Sequence, residues 1–288
     1  MTAIQHLCID GVPSWVVIDA DGAAHPLGCS LAELLAEPGT VRDRVEAGLA
    51  SPAIEVGDAV VLPPVDVQEV WAAGVTYRRS RDGRMEEATD ASPYDRVYEA
   101  QRPEVFLKAT AGRVVTDGDD VGIRADSGWD VPEPELGLVL DAAGGIAGYV
   151  VGNDMSSRSI EGANMLYLPQ AKFYDRACAL GAWIVPAWEV DASALAISVS
   201  IERGGAEVFS GTTSTDQLHR APQDLAAWLY RAVTFPHGAV LLTGTGVVPD
   251  TDFTLRENDV VSIAIEKVGA LRNRVVVVGS GEFEGEQG

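Results

Sequence analysis

The sequence predicts an α+β protein: a strand-rich domain preceded by a small α/β unit. Two observations carry this. From residue 70 onward, short apolar or alternating runs bounded by Gly, Pro and Asp recur, the signature of strands. Only one long stretch among them, residues 223–233, has helical spacing.

The elements follow in order. Short strands at 15–19 and 59–62 enclose a helix that begins at Ser30, where the hydroxyl can accept the Glu33 amide while the Glu33 carboxylate reaches back, the spacing of a capping box. That helix runs toward Ala36 and stops at Glu37-Pro38-Gly39. A second helical stretch is expected over 41–49. At Pro63-Pro64 the character changes, and the small-residue apolar run 70–75 opens a new unit, so domains are expected at 1–66 and 67–288. Residues 78–102 are densely charged with little apolar periodicity and read as a surface loop or lid. Strands are then expected at 105–109, 135–140, 146–152, 195–203, 240–244 and 260–268. The helix at 223–233 follows Pro222 and puts Leu225, Trp228, Leu229 and Ala232 on one face.

Composition narrows the partners. With 43 Asp plus Glu against 21 Lys plus Arg, the formal charge of -22 repels nucleic acid backbones and anionic lipid surfaces, so neither is an expected partner. Cys8, Cys29 and Cys178 are too dispersed for a zinc site and too few for a disulfide framework, which fits a reducing cytoplasm. The N-terminal residues lack a basic start followed by an apolar core, and no apolar run is long enough to span a membrane. A soluble cytoplasmic protein is expected.

Chemistry concentrates in the segment Trp129 to Asp141, where Glu133 and Glu135 stand two residues apart at the mouth of an apolar run. In a strand they share one face with Gly137 and Val139, while Leu136, Leu138 and Leu140 take the other, so both faces turn apolar further in. Ala142 to Gly145 supplies turn residues, and the run from Ile146 returns as the second arm of a hairpin. If Asp141 pairs with Ile146, Asp154 falls opposite Glu133. A loop one residue longer turns Asp154 to the other face. Three carboxylates at the rim of a core either recruit a cation or lie in water at a solvated strand end. Oxygen-only ligands suit Mg²⁺, Mn²⁺ or Ca²⁺, and none of His6, His25, His219 and His237 adjoins the triplet to favour zinc.

Several motifs, in this order, resemble the fumarylacetoacetate hydrolase family: Glu133-Pro-Glu135, Gly148-Tyr149, Asn153-Asp154-Met-Ser156-Ser-Arg158, Lys172, Thr243-Gly-Thr245-Gly246 and Gly269-Ala-Leu-Arg-Asn273. The resemblance covers roughly residues 70–278. It implies a mixed β-sheet roll and a divalent metal, usually Mg²⁺, held by Glu133, Glu135 and Asp154. Within the family, the stretches Tyr98 to Lys108, Gly122 to Arg124, Asp126 to Trp129 and Tyr167 to Lys172 are similar to dehydratases of 2-dehydro-3-deoxy-D-arabinonate, which yield 2,5-dioxopentanoate. That similarity implies Glu104 and Lys172 as acid/base residues and favours Thr245 as a substrate contact. Lys108, on the strand face of Glu104, Arg158, with its planar fork, and Tyr77 and Ser156 are the further candidates for substrate contact. Family members usually form dimers, so a homodimer or homotetramer is expected.

One departure bears on the chemistry. The family's carbon–carbon hydrolases carry a water-activating histidine after a Gly-x-x-Tyr motif. Here Gly74-Val-Thr-Tyr77 leads to Ser80 at that place. The expected reaction is therefore dehydration of a 2-keto-3-deoxy sugar acid: loss of a C3 proton to an enolate, departure of the C4 hydroxyl, then proton shifts from C5 to the aldehyde. Hydrolysis of an acylpyruvate, decarboxylation of oxaloacetate and simple keto-acid binding remain alternatives. Each residue also has a second reading. Lys172 and Lys108 then only balance charge, Glu104 pairs with Arg102 in solvent, Arg158 forms a surface ion pair, and the Thr245 turn owes its glycines to tight turning alone.

Overall fold

The computed structural model describes residues 1–77, 92–247 and 249–280. The expected charged loop falls mostly at 78–91, and that part, with Ser80, lies outside the described residues. Its last portion forms the helix Ser92–Glu99.

The architecture is α+β and mixed. The principal sheet runs, neighbour to neighbour, through Ala24–Pro26, Val12–Ile18, Ala3–Ile9, Trp183–Pro186, Ile146–Asp154, Pro134–Leu140, Ala239–Leu242, Val70–Gly74 and Glu104–Ala109. Most of these pairs are antiparallel, but Ala239–Leu242 runs parallel to Val70–Gly74. A second sheet orders Ala206–Ser214, Ala196–Arg203, Val260–Ile265, Gly269–Val278 and Asp120–Arg124. The first strand joins the principal sheet through Ile4 opposite Ile184.

Both faces of Pro134–Leu140 are covered, as the apolar run implied. Leu136, Leu138 and Leu140, all 0% exposed, pack with Val121, Ile263 and Leu271 on one side. Val139 packs on the other with Val150, Leu180 and the helical residues Leu34 and Leu35. Each fully buried leucine is worth roughly 1.5–3 kcal/mol of transfer free energy, so this strand is held firmly at the centre of the molecule.

The capping box at Ser30 forms: its hydroxyl accepts the Glu33 amide at 3.2 Å and the Glu33 carboxylate accepts the Ser30 amide at 2.9 Å. The helices Leu31–Ala36 and Val41–Leu49 follow. The helix expected over 223–233 spans Pro222–Leu229 and ends earlier than its pattern suggests. There Tyr230 turns away to donate its hydroxyl to Asp141 O at 2.8 Å and to pack its ring on Phe235, so tertiary contacts end a segment that propensity would continue.

The hairpin register has a correction and a compensation. Ile146 pairs with Leu140 rather than Asp141, because Asp141 accepts the amides of Ala143 and Gly145 and lengthens the loop by one residue. A bulge at Ala147 then restores the expected pairing from Val139 opposite Gly148 to Pro134 opposite Asn153. The Asp154 amide donates to Glu133 O at 3.0 Å, so the two carboxylates do share a face.

Candidate active site

Glu133, Glu135 and Asp154 are 3%, 1% and 1% exposed, and each offers an oxygen within 4.8 Å of the others'. The solvated reading does not survive that burial. The hairpin supplies all three: alternation puts Glu133 and Glu135 on one face, and the register brings Asp154 across.

Cations meet two of them. Lys172, at the end of the short helix Leu168–Lys172, donates from Nζ to Glu133 Oε2 at 2.8 Å, Asp154 Oδ2 at 3.0 Å and Ser156 Oγ at 2.5 Å. Arg158 Nη2 lies 2.9 Å from Glu133 Oε1 and is 1% exposed, so its partner is an interior carboxylate and not a surface one. Lys108 Nζ lies 2.5 Å from Asp154 Oδ1 and also donates to Met155 O at 2.8 Å and Lys172 O at 2.6 Å. Burial pulls the Lys108 ammonium below its ordinary value, and the adjacent Asp154 opposes this only in part.

Glu135 is placed differently. Its Oε2 accepts the Gly244 amide at 2.6 Å. Burial, and then the neighbouring carboxylates of Asp154 and Glu133, push its carboxyl well above the usual range, with Lys172 opposing. Gly244 presents that amide from a left-handed conformation, φ 92°, and a Cβ there would collide with the Thr76 hydroxyl. Thr76 in turn donates to Thr243 O at 2.6 Å, so the strand end after Gly74 is pinned to the turn that touches Glu135.

This cluster fits a hard divalent cation. Its donors are carboxylate oxygens only, they converge in the interior, and one of them is destabilised as an anion where it stands.

The other expected residues lie on segments next to these. Glu104 pairs across the sheet with Gly74 and folds its carboxyl over that glycine, where any Cβ would overlap it. Tyr77 is 1% exposed, and its hydroxyl has no hydrogen-bond partner among the described residues. Burial and then the negative charge of Glu135 raise the Tyr77 phenol above its usual value. Ser156 accepts from Lys172 and donates to Asp154 O at 2.9 Å. Thr245 is buried, with its hydroxyl engaged by Val247 within its own turn at 3.2 Å.

Three contributors went unread in the sequence: Thr76, Phe106, whose ring lies 5.6 Å from Lys172 Nζ, and Tyr174, whose ring lies 5.8 Å from Lys108 Nζ. Phe106 stands between Glu104 and Lys108 in strand parity, and alternation alone would have found it.

Comparison with known proteins agrees with this geometry. Residues 69–276 match the family model described as fumarylacetoacetate (FAA) hydrolase C-terminal. A probable 2-keto-3-deoxyxylonate dehydratase of Haloferax volcanii is 50% identical over 241 residues, 82% of this chain and 83% of its own. A 2-dehydro-3-deoxy-D-arabinonate dehydratase of Saccharolobus solfataricus is 38% identical over 224 residues, 76% of this chain and 75% of its own. Among solved structures, 2-keto-3-deoxy-D-arabinonate dehydratase complexed with magnesium and 2,5-dioxopentanoate superposes with a TM-score of 0.85 at 30% identity, covering 97% of this chain and 100% of that one. With its buried carboxylate triplet and a match that runs through most of its length, the chain belongs to the fumarylacetoacetate hydrolase family.

Proposed function

We propose that this protein is a Mg²⁺-dependent dehydratase that converts a 2-keto-3-deoxy pentonate such as 2-dehydro-3-deoxy-D-arabinonate into 2,5-dioxopentanoate and water. The observation that carries the reading is the buried cluster of Glu133, Glu135 and Asp154 with Lys172 laid across it. The dehydratase relatives at 50% and 38% identity support the same chemistry.

Glu133, Glu135 and Asp154 would hold the ion. A divalent cation held there would supply positive charge that acidifies C3 of a bound 2-keto acid. Glu104 accepts the C3 proton, its carboxyl standing over Gly74. Lys172 holds its protons toward Glu133, Asp154 and Ser156 and delivers one to the departing C4 hydroxyl, which leaves as water. A C5 proton then leaves, C3 is reprotonated, and the resulting enol at C4–C5 collapses to the aldehyde. Tyr77, whose buried hydroxyl lacks a partner among the described residues, offers a hydrogen bond to the substrate. Lys108 and Arg158 orient Asp154 and Glu133 and, with Ser156 and with Thr245 in the turn next to Glu135, complete the set of groups offered to the substrate.

The reading extends to organisation. Residues 67–288 form the catalytic unit and 1–66 an appended one, a division supported by the family match at 69–276. The protein works in the cytoplasm, which its free cysteines suit, as a homodimer or homotetramer, for which the exposed outer strand Ala206–Ser214 offers an edge.

The test is to strip the protein of metal, incubate it with a panel of 2-keto-3-deoxy aldonates, add Mg²⁺ and identify products by mass. A product lighter than its substrate by one water is expected, and only after Mg²⁺ is added. Pyruvate with a second carboxylic acid, or carbon dioxide from oxaloacetate, would move the protein to the hydrolases or decarboxylases. Binding without turnover would leave it a keto-acid-binding protein.

A further inference from the structure

The tripeptide Leu218-His219-Arg220 precedes the helix Pro222–Leu229 and lies far in sequence from the residues discussed so far, yet it touches both chain segments that border the site. On one side, Leu218 forms an isolated antiparallel bridge with Tyr77, and the His219 amide donates to Thr76 O at 2.9 Å. On the other, the Arg220 guanidinium donates to backbone carbonyls at the end of the helix Ser92–Glu99 and just past it: Val97 O at 3.0 Å, Tyr98 O at 3.3 Å, Ala100 O at 2.5 Å and Gln101 O at 3.3 Å. The His219 ring stacks on Tyr98 with centroids 4.2 Å apart, and Tyr98 is buried against Val75, which closes the circuit between the two segments.

Among the described residues, Arg220 forms its hydrogen bonds with backbone carbonyls and makes no ion pair with a carboxylate. The last carbonyls of a helix have no partner within it and carry the negative end of its dipole. A planar, permanently charged fork can take several of these diverging acceptors at once, which a lysine ammonium cannot do with the same geometry. The contact therefore fixes where the helix ends and how the chain leaves it.

What the chain leaves for is Glu104, three residues beyond Gln101 at the start of its strand. The other clamped segment carries Tyr77, and its Thr76 is hydrogen-bonded to the turn whose next amide holds Glu135. We infer that Arg220 is a positioning residue: with Leu218 and His219 it ties both bordering segments to one loop and so sets Tyr77 and Glu104 against the carboxylate cluster. The inference rests on the proposed reading of Glu104 and Tyr77 as groups that face the substrate.

The test uses the full-length protein with Arg220→Ala and Arg220→Lys. Mn²⁺ affinity is read by paramagnetic resonance, turnover with Mg²⁺, and backbone order by hydrogen exchange. For Arg220→Ala, kcat should fall tenfold or more and by a larger factor than KM rises, with the Mn²⁺ dissociation constant within twofold of the parent. Amides at 76–77 and 97–104 should exchange faster while those of Pro134–Leu140 stay protected. Arg220→Lys, keeping the charge and part of the bonding, should recover an intermediate kcat. Parent-like kcat and KM in Arg220→Ala, a loss of turnover that tracks a loss of Mn²⁺ affinity, or faster exchange spread over the whole sheet would each overturn the inference. If the parent protein itself fails to dehydrate 2-keto-3-deoxy pentonates, the functional reading falls separately, and the exchange pattern still decides the clamp.

Discussion

Lys108 Nζ stands 2.5 Å from Asp154 Oδ1, with neither side chain more than 1% exposed. Burial weighs against the charge on this lysine, and Asp154 offsets that only in part. Its effect is orientation: the same ammonium also ties down the carbonyls of Met155 and Lys172. Replacing Lys108 by Met removes the charge and keeps the bulk, leaving Asp154 and two carbonyls short of a donor. Unfolding free energy in denaturant should fall by about 3–5 kcal/mol, the usual loss when one partner of a buried pair is removed. Mn²⁺ affinity should fall by roughly 10–100-fold, since groups that orient metal ligands act on that scale. Parent-like Mn²⁺ binding in this variant would show that Asp154 needs no support from Lys108.

Glu135 gives a prediction with two opposite signs. Its carboxyl is raised by burial and by Asp154 and Glu133, so at neutral pH and without metal its anionic form costs stability. Glu135→Gln keeps the shape and discards the charge. Without metal the variant should melt at a higher temperature than the parent. Adding Mg²⁺ or Mn²⁺ should raise the parent's melting temperature and leave the variant's nearly unchanged, because binding to the native state alone is what lifts it. An equal metal-induced rise in both proteins would remove Glu135 from the ligand set.

The carboxylate cluster was legible because it is local: alternation fixed the face of Glu133 and Glu135, and one hairpin brought Asp154 back. Even so, the assumed loop was one residue short, and only the bulge at Ala147 returned Asp154 to the right face, a compensation with no signature in the sequence. The rest of the site comes from afar. The Gly244 amide reaches Glu135 across 109 residues, and Arg220 reaches the carbonyls of 97–101 across 119 or more, through tertiary contacts that local periodicity does not encode. The strand Ala206–Ser214 was missed for a different reason: none of its residues is fully buried, so no apolar alternation marks it. In the same sheet Gly269–Val278 does alternate, with Leu271, Asn273 and Val275 inward, but Asn273 is a polar residue in a core position, bonded to Thr116 O and Asp119 O.

Glu104 and Gly74 form a pair in which the absence of one side chain makes room for the other. Glu104→Gln removes the proposed base with little change of shape, and kcat for dehydration should fall by about 10²–10⁴, the range for a positioned acid or base. Gly74→Ala attacks the same function from across the strand, since its methyl would displace the Glu104 carboxyl. It should lower kcat while leaving Mn²⁺ affinity intact. A Gly74→Ala protein with full turnover would mean that the Glu104 carboxyl works from somewhere else.

Asp130 reports on pH. It is 2% exposed, and burial pushes its carboxyl up to about 6, with hydrogen bonding from Ser127 opposing. The folded state therefore binds a proton more readily than the unfolded chain, whose aspartate titrates near 3.9. Between those values the native protein holds more protons than the unfolded one, so the contribution of Asp130 to stability declines as pH rises from about 4 to about 6 and stays low above that. The full swing is at most about 3 kcal/mol, from a shift of about two units at 1.36 kcal/mol each. Asp130→Asn abolishes this titration. Its melting temperature should equal or fall below the parent's at pH 4, where the parent carboxyl is neutral, and exceed it at pH 7.5, where the parent buries a charge. A difference between the two proteins that does not change across that range would mean Asp130 is ionised at no cost in the folded state.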